Sequence, residues 1–166
     1  MKVDLLISNI GQLVTCASSA VKRGTGMLDV GLIENGTVAV KDGKFAAVGL
    51  SEDLESDCEP LEHITAEGRV VCPGFVDPHT HIVFAGDRLN EFELRIKGAD
   101  YLEILENGGG IISTVRQTRA ASFEQLVEMG RKRLDKMLIC GTTTAEIKTG
   151  YGLNAETELK LSLIHI

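Results

Sequence analysis

Pro73-Gly74-Phe75-Val76-Asp77-Pro78-His79-Thr80-His81-Ile82-Val83-Phe84-Ala85-Gly86-Asp87-Arg88 is the stretch on which the reading of the fold turns. The apolar run from Val70 to Val76 predicts a strand, and that strand ends by delivering two imidazoles two residues apart. Successive strand residues alternate faces, so His79 and His81 share one face while Thr80 takes the other. Two neutral nitrogen donors side by side suit zinc or another first-row divalent ion. A catalytic zinc takes three protein ligands and a water, so the pair is part of a site and not the whole of one. A bare His-x-His also occurs on solvated strands. What lifts this one above that reading is its setting, with a buried-type strand before it, Gly74 and Pro78 bracketing it, and a Gly86-Asp87-Arg88 turn after it. A strand of a parallel barrel brings side chains to the C-terminal mouth in this way.

Downstream, the clearest helix begins at Ser122, where Ser122-Phe123-Glu124-Gln125 has the form of a capping box. Phe123, Leu126, Val127, Gly130, Leu134, Met137 and Leu138 follow at offsets of three and four, a stripe expected to pack on a sheet. Arg131, Lys132, Arg133, Asp135 and Lys136 fall largely on the other faces. Gly141 ends this helix, and the β-branched run Thr142 to Lys148 predicts the next strand. Strand, crossover helix and strand make a βαβ unit, which implies a parallel sheet with its ligand face beyond the strand ends. Thr149-Gly150-Tyr151-Gly152 falls on that face. Asn154 is placed to cap a last helix from Ala155 to about Leu163.

Between the two strands, Ala99 to Asn107 reads as helical, and Gly108-Gly109-Gly110 closes it. The triple glycine lacks the Gly-Lys-Ser/Thr ending of a nucleotide loop, so a close-approach loop is the better reading. Glu91, Glu93 and Arg95 read as loop ion pairs. Arg116 and Arg119 read either as a solvated pair or as steering charges for an anionic substrate. Arg88 has a planar fork suited to a carboxylate. On spacing alone it is a surface arginine, and Tyr151 is a loop aromatic.

Upstream, the chain is mostly β. Asp4 to Thr15 reads as a strand or two short ones, with a turn at Asn9 to Gly11. Thr37 to Gly49 carries a hairpin signal at Asp42-Gly43. Ser51 to Pro60 is an acidic, solvated stretch. His63 reads as an isolated strand or surface residue.

The length of 166 residues fits one domain, and 43 % hydrophobic with 25 % charged residues is ordinary for a soluble globular protein. A net charge of −7, no Trp and no basic cluster argue against nucleic acid as a partner. The N-terminus has too short an apolar run for a signal peptide or a membrane span, so no membrane partner and a cytoplasmic location are expected. Cys16, Cys58, Cys72 and Cys140 form no Cys-x-x-Cys pair and read as buried free thiols.

Val71 to His81 resembles the first barrel strand of the amidohydrolase superfamily, metal-dependent hydrolases of amide, amidine and related bonds. His81 to Arg88, Glu91-Phe92-Glu93, Gly108 to Arg119 and Gly141 to Gly152 narrow the resemblance to the imidazolonepropionase family of histidine breakdown. It runs from about Asp4 to Lys160 and fades at Leu161 to Ile166, so His165 carries no ligand role. The resemblance implies an α/β fold: part of an N-terminal β-sandwich over residues 1–69, then over 70–166 the first βα units of an incomplete (β/α)8 TIM-like barrel.

It also implies metal-dependent hydrolysis of 4-imidazolone-5-propanoate to N-formimidoyl-L-glutamate, using one divalent metal ion, zinc or iron. His79 and His81 would be metal ligands, and Arg88 and Tyr151 would bind the small-molecule substrate. Lys148 and Glu146 would be structural, because this family holds a single metal without a bridging lysine. The other ligands and the acid/base residues would lie beyond Ile166, so no catalytic acid or base is expected in this N-terminal part and little turnover by it alone. A homo-oligomer is expected of the full-length enzyme. Two alternatives stand beside this reading: a dihydroorotase-like or guanine-deaminase-like enzyme, and a non-catalytic remnant.

Overall fold

The computed structural model describes residues 1–164; His165, to which no ligand role was carried, lies outside the described residues. The chain divides between Pro73 and Gly74 into two compact units.

The first unit is a five-stranded mixed sheet. β1 (Lys2–Val14) pairs antiparallel with β2 (Leu32–Lys41), which pairs antiparallel with β3 (Lys44–Leu50). A short helix, α1 (Ser51–Leu54), leads to β4 (Glu59–Thr65), and β4 and β5 (Val70–Val71) both pair parallel with β1. The turn between β2 and β3 falls at Asp42-Gly43, as expected. Both residues have positive φ, 52° and 69°, which is the backbone that twists two strands into a tight hairpin.

The turn expected at Asn9 to Gly11 is instead an irregularity inside one long strand, with a register shift between Ile7 and Ile10 and Asn9 at φ 52°. The kink has a role in the pairing: β1 runs beside β4 up to Ser8 and beside β5 from Gln12. Val3, Leu6 and Ala39 pack with Cys58, while Ile10, Leu13 and Val38 pack with Ala66. His63 lies on β4, and its Nε2 is 2.7 Å from Ser8 Oγ.

The strand expected over Val70 to Val76 is broken by Cys72-Pro73-Gly74. Val70 and Val71 belong with β1, so the boundary expected between residues 69 and 70 lies a few residues later. The second unit starts with β6 (Phe75–Thr80) and continues through α2 (Leu89–Ile96), α3 (Tyr101–Glu106), α4 (Ile111–Ala120) and α5 (Phe123–Ile139). It then runs into β7 (Thr142–Ile147) and α6 (Ala155–Leu163). β6 and β7 are parallel, as the βαβ pattern requires, with Phe75, Val76, Asp77 and Thr80 opposite Thr142, Thr144, Ala145 and Ile147.

Ser122 caps α5 in a complete capping box, accepting from the Gln125 amide at 3.2 Å while the Gln125 side chain accepts from the Ser122 amide at 2.9 Å. Asn154 caps α6 through the Thr157 amide at 2.8 Å. Leu126, Val83, Ala85 and Leu161 form the core of this unit. The rest of the α5 stripe is less covered than expected: Val127 and Leu134 are at the margin of exposure and Leu138 is 61 % exposed.

Two further expectations change. Glu91, Glu93 and Arg95 lie on α2 and not on a loop. The Glu91 carboxylate is buried beside Arg88, and Glu93 pairs with Lys97. Of the four free cysteines only Cys58 is buried. No helix among the described residues is long and apolar enough to cross a membrane.

Candidate functional site

His79 and His81 leave the end of β6 on one side, with ring centroids 5.4 Å apart and planes at 67°. Thr80 turns the other way and donates to the Glu146 carbonyl at 3.0 Å, tying β6 to β7. The ladder between these strands skips Pro78 and His79. Proline has no amide hydrogen to give it, and the His79 amide donates to the Asp77 carboxylate at 3.2 Å.

His81 Nδ1 is buried and has no hydrogen-bond partner. A buried polar atom left unpaired costs free energy unless something absent from the protein chain satisfies it. Two imidazoles sharing one ion at zinc–nitrogen bonds of about 2.1 Å stand with centroids about 5 Å apart. The pair therefore fits a divalent ion in chemistry and spacing. No third His, Cys, Asp or Glu among the described residues joins it into a cluster.

Tyr151 stands against the same imidazole. Its ring lies 5.4 Å from His81 and 5.3 Å from Phe84, tilted about 60° to each, an edge-to-face arrangement favoured by aromatic quadrupoles. Gly150 makes this possible, since its φ is 149° and a Cβ there would come within 3.0 Å of the His81 ring. The loop is fastened from both sides. Arg119 Nε donates to the Gly152 carbonyl at 2.7 Å, and Glu158 Oε1 accepts from the Gly152 and Leu153 amides at 2.7 and 2.8 Å. Arg119 thus fastens this loop, and Arg116 likewise bonds the Gly108 carbonyl. Partial burial pushes the Glu158 carboxyl upward, but the Leu153 amide, the Thr149 hydroxyl and the Gly152 and Gly150 amides outweigh it and hold the carboxyl below its usual value.

A cleft of about 480 Å³ opens beside Tyr151, lined also by Phe84, Asp87, Arg88, Thr114 and Arg133. Arg88 Nε donates to Thr114 Oγ1 at 3.2 Å and lies 3.9 Å from Glu91 Oε1. Glu91 is fixed in turn by the Gly110 amide at 2.7 Å, which gives the triple glycine its close-approach role. These contacts engage Arg88 through Nε. The structure thus brings Arg88 and Tyr151 to one cleft, and Tyr151 to the histidine pair. Lys148 pairs with Glu146. That hydrogen bond and charge, with a smaller contribution from His79, lower the Glu146 carboxyl.

Phe84, Thr114 and Arg133 escaped the sequence reading. Arg133 sits among α5 residues assigned to the polar faces, yet it reaches the carbonyls of Ile82 and Phe84. Burial lowers its guanidinium pKa from the ordinary value. Only the offset of Arg133 by three from Gly130, on the covered side of α5, hinted at this.

No protein-family profile matches the chain. Curated relatives do. The imidazolonepropionase of Symbiobacterium thermophilum is 52 % identical over 161 residues, 95 % of this chain and 38 % of that protein. The imidazolonepropionase of Chloroflexus aggregans is 51 % identical over 158 residues, 95 % of this chain and 37 % of its own length. The chain thus spans well under half the length of these relatives.

Among solved structures, an adenosine deaminase from Xanthomonas campestris with bound zinc aligns over 99 % of this chain and 32 % of its own, with a TM-score of 0.62 at 22 % identity. Escherichia coli guanine deaminase aligns over 96 % and 34 %, with a TM-score of 0.62 at 23 % identity. These two likenesses establish the mixed α/β fold alone. On its identity to the curated relatives across nearly its whole length, the chain belongs to the imidazolonepropionase family.

Proposed function

We propose that this chain supplies the first part of a metal-dependent hydrolase site that opens the ring of 4-imidazolone-5-propanoate to give N-formimidoyl-L-glutamate. The observation that carries the reading is the convergence of His79, His81 and Tyr151 in ring contact beside a cleft that also holds Arg88. His79 and His81 would hold one divalent ion, zinc or iron, with the orphaned His81 Nδ1 as a donor in want of a partner. Such an ion supplies Lewis acidity toward a ring carbonyl and a water at neutral pH.

The rest falls to the chain's own residues. Arg88, engaged at Nε by Thr114, presents its guanidinium to the propionate carboxylate in a planar, bidentate manner. Tyr151, set edge-on between Phe84 and His81, offers its hydroxyl to the ring and limits where the ring can lie. β6 and β7 would be the first strands of a (β/α)8 barrel with this cleft at the strand ends. A cytoplasmic location and a homo-oligomer accompany the reading.

Calorimetric titration of the 166-residue chain with zinc chloride tests the metal half. Uptake is expected with the native pair and lost in the His79→Ala, His81→Ala double variant, and equal uptake by both proteins would sink the assignment. Binding of 4-imidazolone-5-propanoate tests the other half. Arg88→Met is expected to weaken it by about tenfold or more, as when one partner of a charge-assisted pair is removed. With two imidazoles and no third ligand brought together among the described residues, this chain alone is expected to show binding without appreciable turnover.

A further inference from the structure

Residues 81–88 follow β6 with no regular secondary structure, yet they carry His81, Phe84 and Arg88. Something other than a strand ladder must fix them. Ile82 and Val83 are buried, and the Ala85 amide donates to the buried Thr118 hydroxyl at 3.1 Å. Arg88 at the far end is held by Thr114, and the middle of the segment is fastened by Arg133. Its Nη1 donates to the Ile82 and Phe84 carbonyls, each at 2.7 Å, and its guanidinium carbon lies 3.7 Å from the Phe84 ring centroid. From there the contacts run in file: Phe84 to Tyr151 at 5.3 Å, Tyr151 to His81 at 5.4 Å, His81 to His79 at 5.4 Å.

We propose that Arg133 is a positioning residue that grips the two carbonyls flanking Val83, covers the Phe84 ring, and so sets where Tyr151 stands against His81. Its importance for the reaction rests on the reading of Tyr151 and His81 given above. A flat cation can bond two carbonyls at its edge while its face lies on a ring. An ammonium group, a compact point charge on a flexible stem, cannot do both from one fixed plane. The geometry therefore requires arginine in particular and not positive charge in general.

The chain has two tyrosines and no Trp, so Tyr101→Phe leaves Tyr151 as the sole tyrosine, observable by aromatic NMR in the metal-free chain. In that background Arg133→Met is expected to shift the ring signals of both Tyr151 and His81. The His63 signals, from the other unit, should stay in place and the far-ultraviolet circular dichroism should not change. Arg133→Lys is expected not to restore the native signals. Phe84→Leu, which removes the ring and spares the arginine, is expected to displace Tyr151 in the same way.

Unmoved Tyr151 and His81 signals in a folded Arg133→Met protein overturn the proposal, as does full restoration by lysine. If Arg133→Met does not fold, Phe84→Leu decides, and unmoved Tyr151 signals there count against it. If both fail to fold, Arg133 serves the fold and the proposal is wrong. These signals need neither metal nor substrate, so a failed zinc titration and a failed positioning test are separate results.

Discussion

The two units of this chain treat their strands differently. In the first, β1 has β2 along one edge and β4 then β5 along the other, and Ile10, Ala39 and Thr37 are fully buried. In the second, β6 and β7 have only each other among the described residues, and Phe75 and Val76 on β6 are 58 % and 66 % exposed. The first unit builds its sheet around β1, which is paired along both edges, and none of the candidate site residues lies in it. The second holds the histidine pair, the arginines and the tyrosine on a sheet with open edges. A strand with a free edge and an apolar face is a template for further pairing, and in the second unit such a strand carries the candidate site.

The sharpest way to break this comparison is in the two cores. Ile10→Ala and Leu126→Ala each remove a fully buried side chain and are expected to cost about 2–5 kcal/mol. Each loss should be confined to its own unit. Hydrogen exchange read segment by segment checks this, and loss of protection in both units from either variant would show that they fold as one.

A smaller effect is expected at the open sheet. Sedimentation velocity should find association that rises with concentration, and Val76→Lys should reduce it by placing a charge on β6. Unchanged association would move the sticky surface elsewhere, with Leu61 on β4, 88 % exposed, as the next suspect.

The smallest effect concerns pH. The folded Glu158 carboxyl titrates below its ordinary value of 4.5. It therefore contributes stability that is present above the unfolded value and lost as pH falls through the folded one. Thermal unfolding of the second unit should steepen in its pH dependence across that acidic window, and Glu158→Gln should flatten it. An identical pH profile in the variant would remove Glu158 as the cause.

Local features were legible in the sequence where local chemistry determines structure. Asp42-Gly43 marked its hairpin, Ser122 and Asn154 marked their helix starts, and the β-branched run after Gly141 marked β7. The strand expected from Val70 to Val76 failed because hydrophobicity does not record partners: β1 claims Val70 and Val71, and β7 claims Phe75 onward. Asn9 to Gly11 looked like a turn because residues that tolerate positive φ serve bulges as well as turns.

In the site, the histidine spacing could be read directly, whereas Arg88 and Tyr151 needed family resemblance because they lie 63 residues apart in a chain with many arginines and glycines. For Arg133 the pattern offered no more than its offset of three from Gly130. A helical pattern places its Cα near a face, but a long side chain chooses its own destination.

The interruption of the β6–β7 ladder at Pro78 and His79 has one further bearing. A slip of one residue along a strand exchanges its two faces. Here it would put Thr80 where the imidazoles belong and turn both histidines toward the Glu146 side. Rungs stand on both sides of the gap, at Phe75 to Asp77 before it and at Thr80 after it, and the Thr80 hydroxyl adds a clasp to the Glu146 carbonyl. The strand is thus proofed against misalignment at two separate points, and the segment between them, with His79, stands outside the ladder.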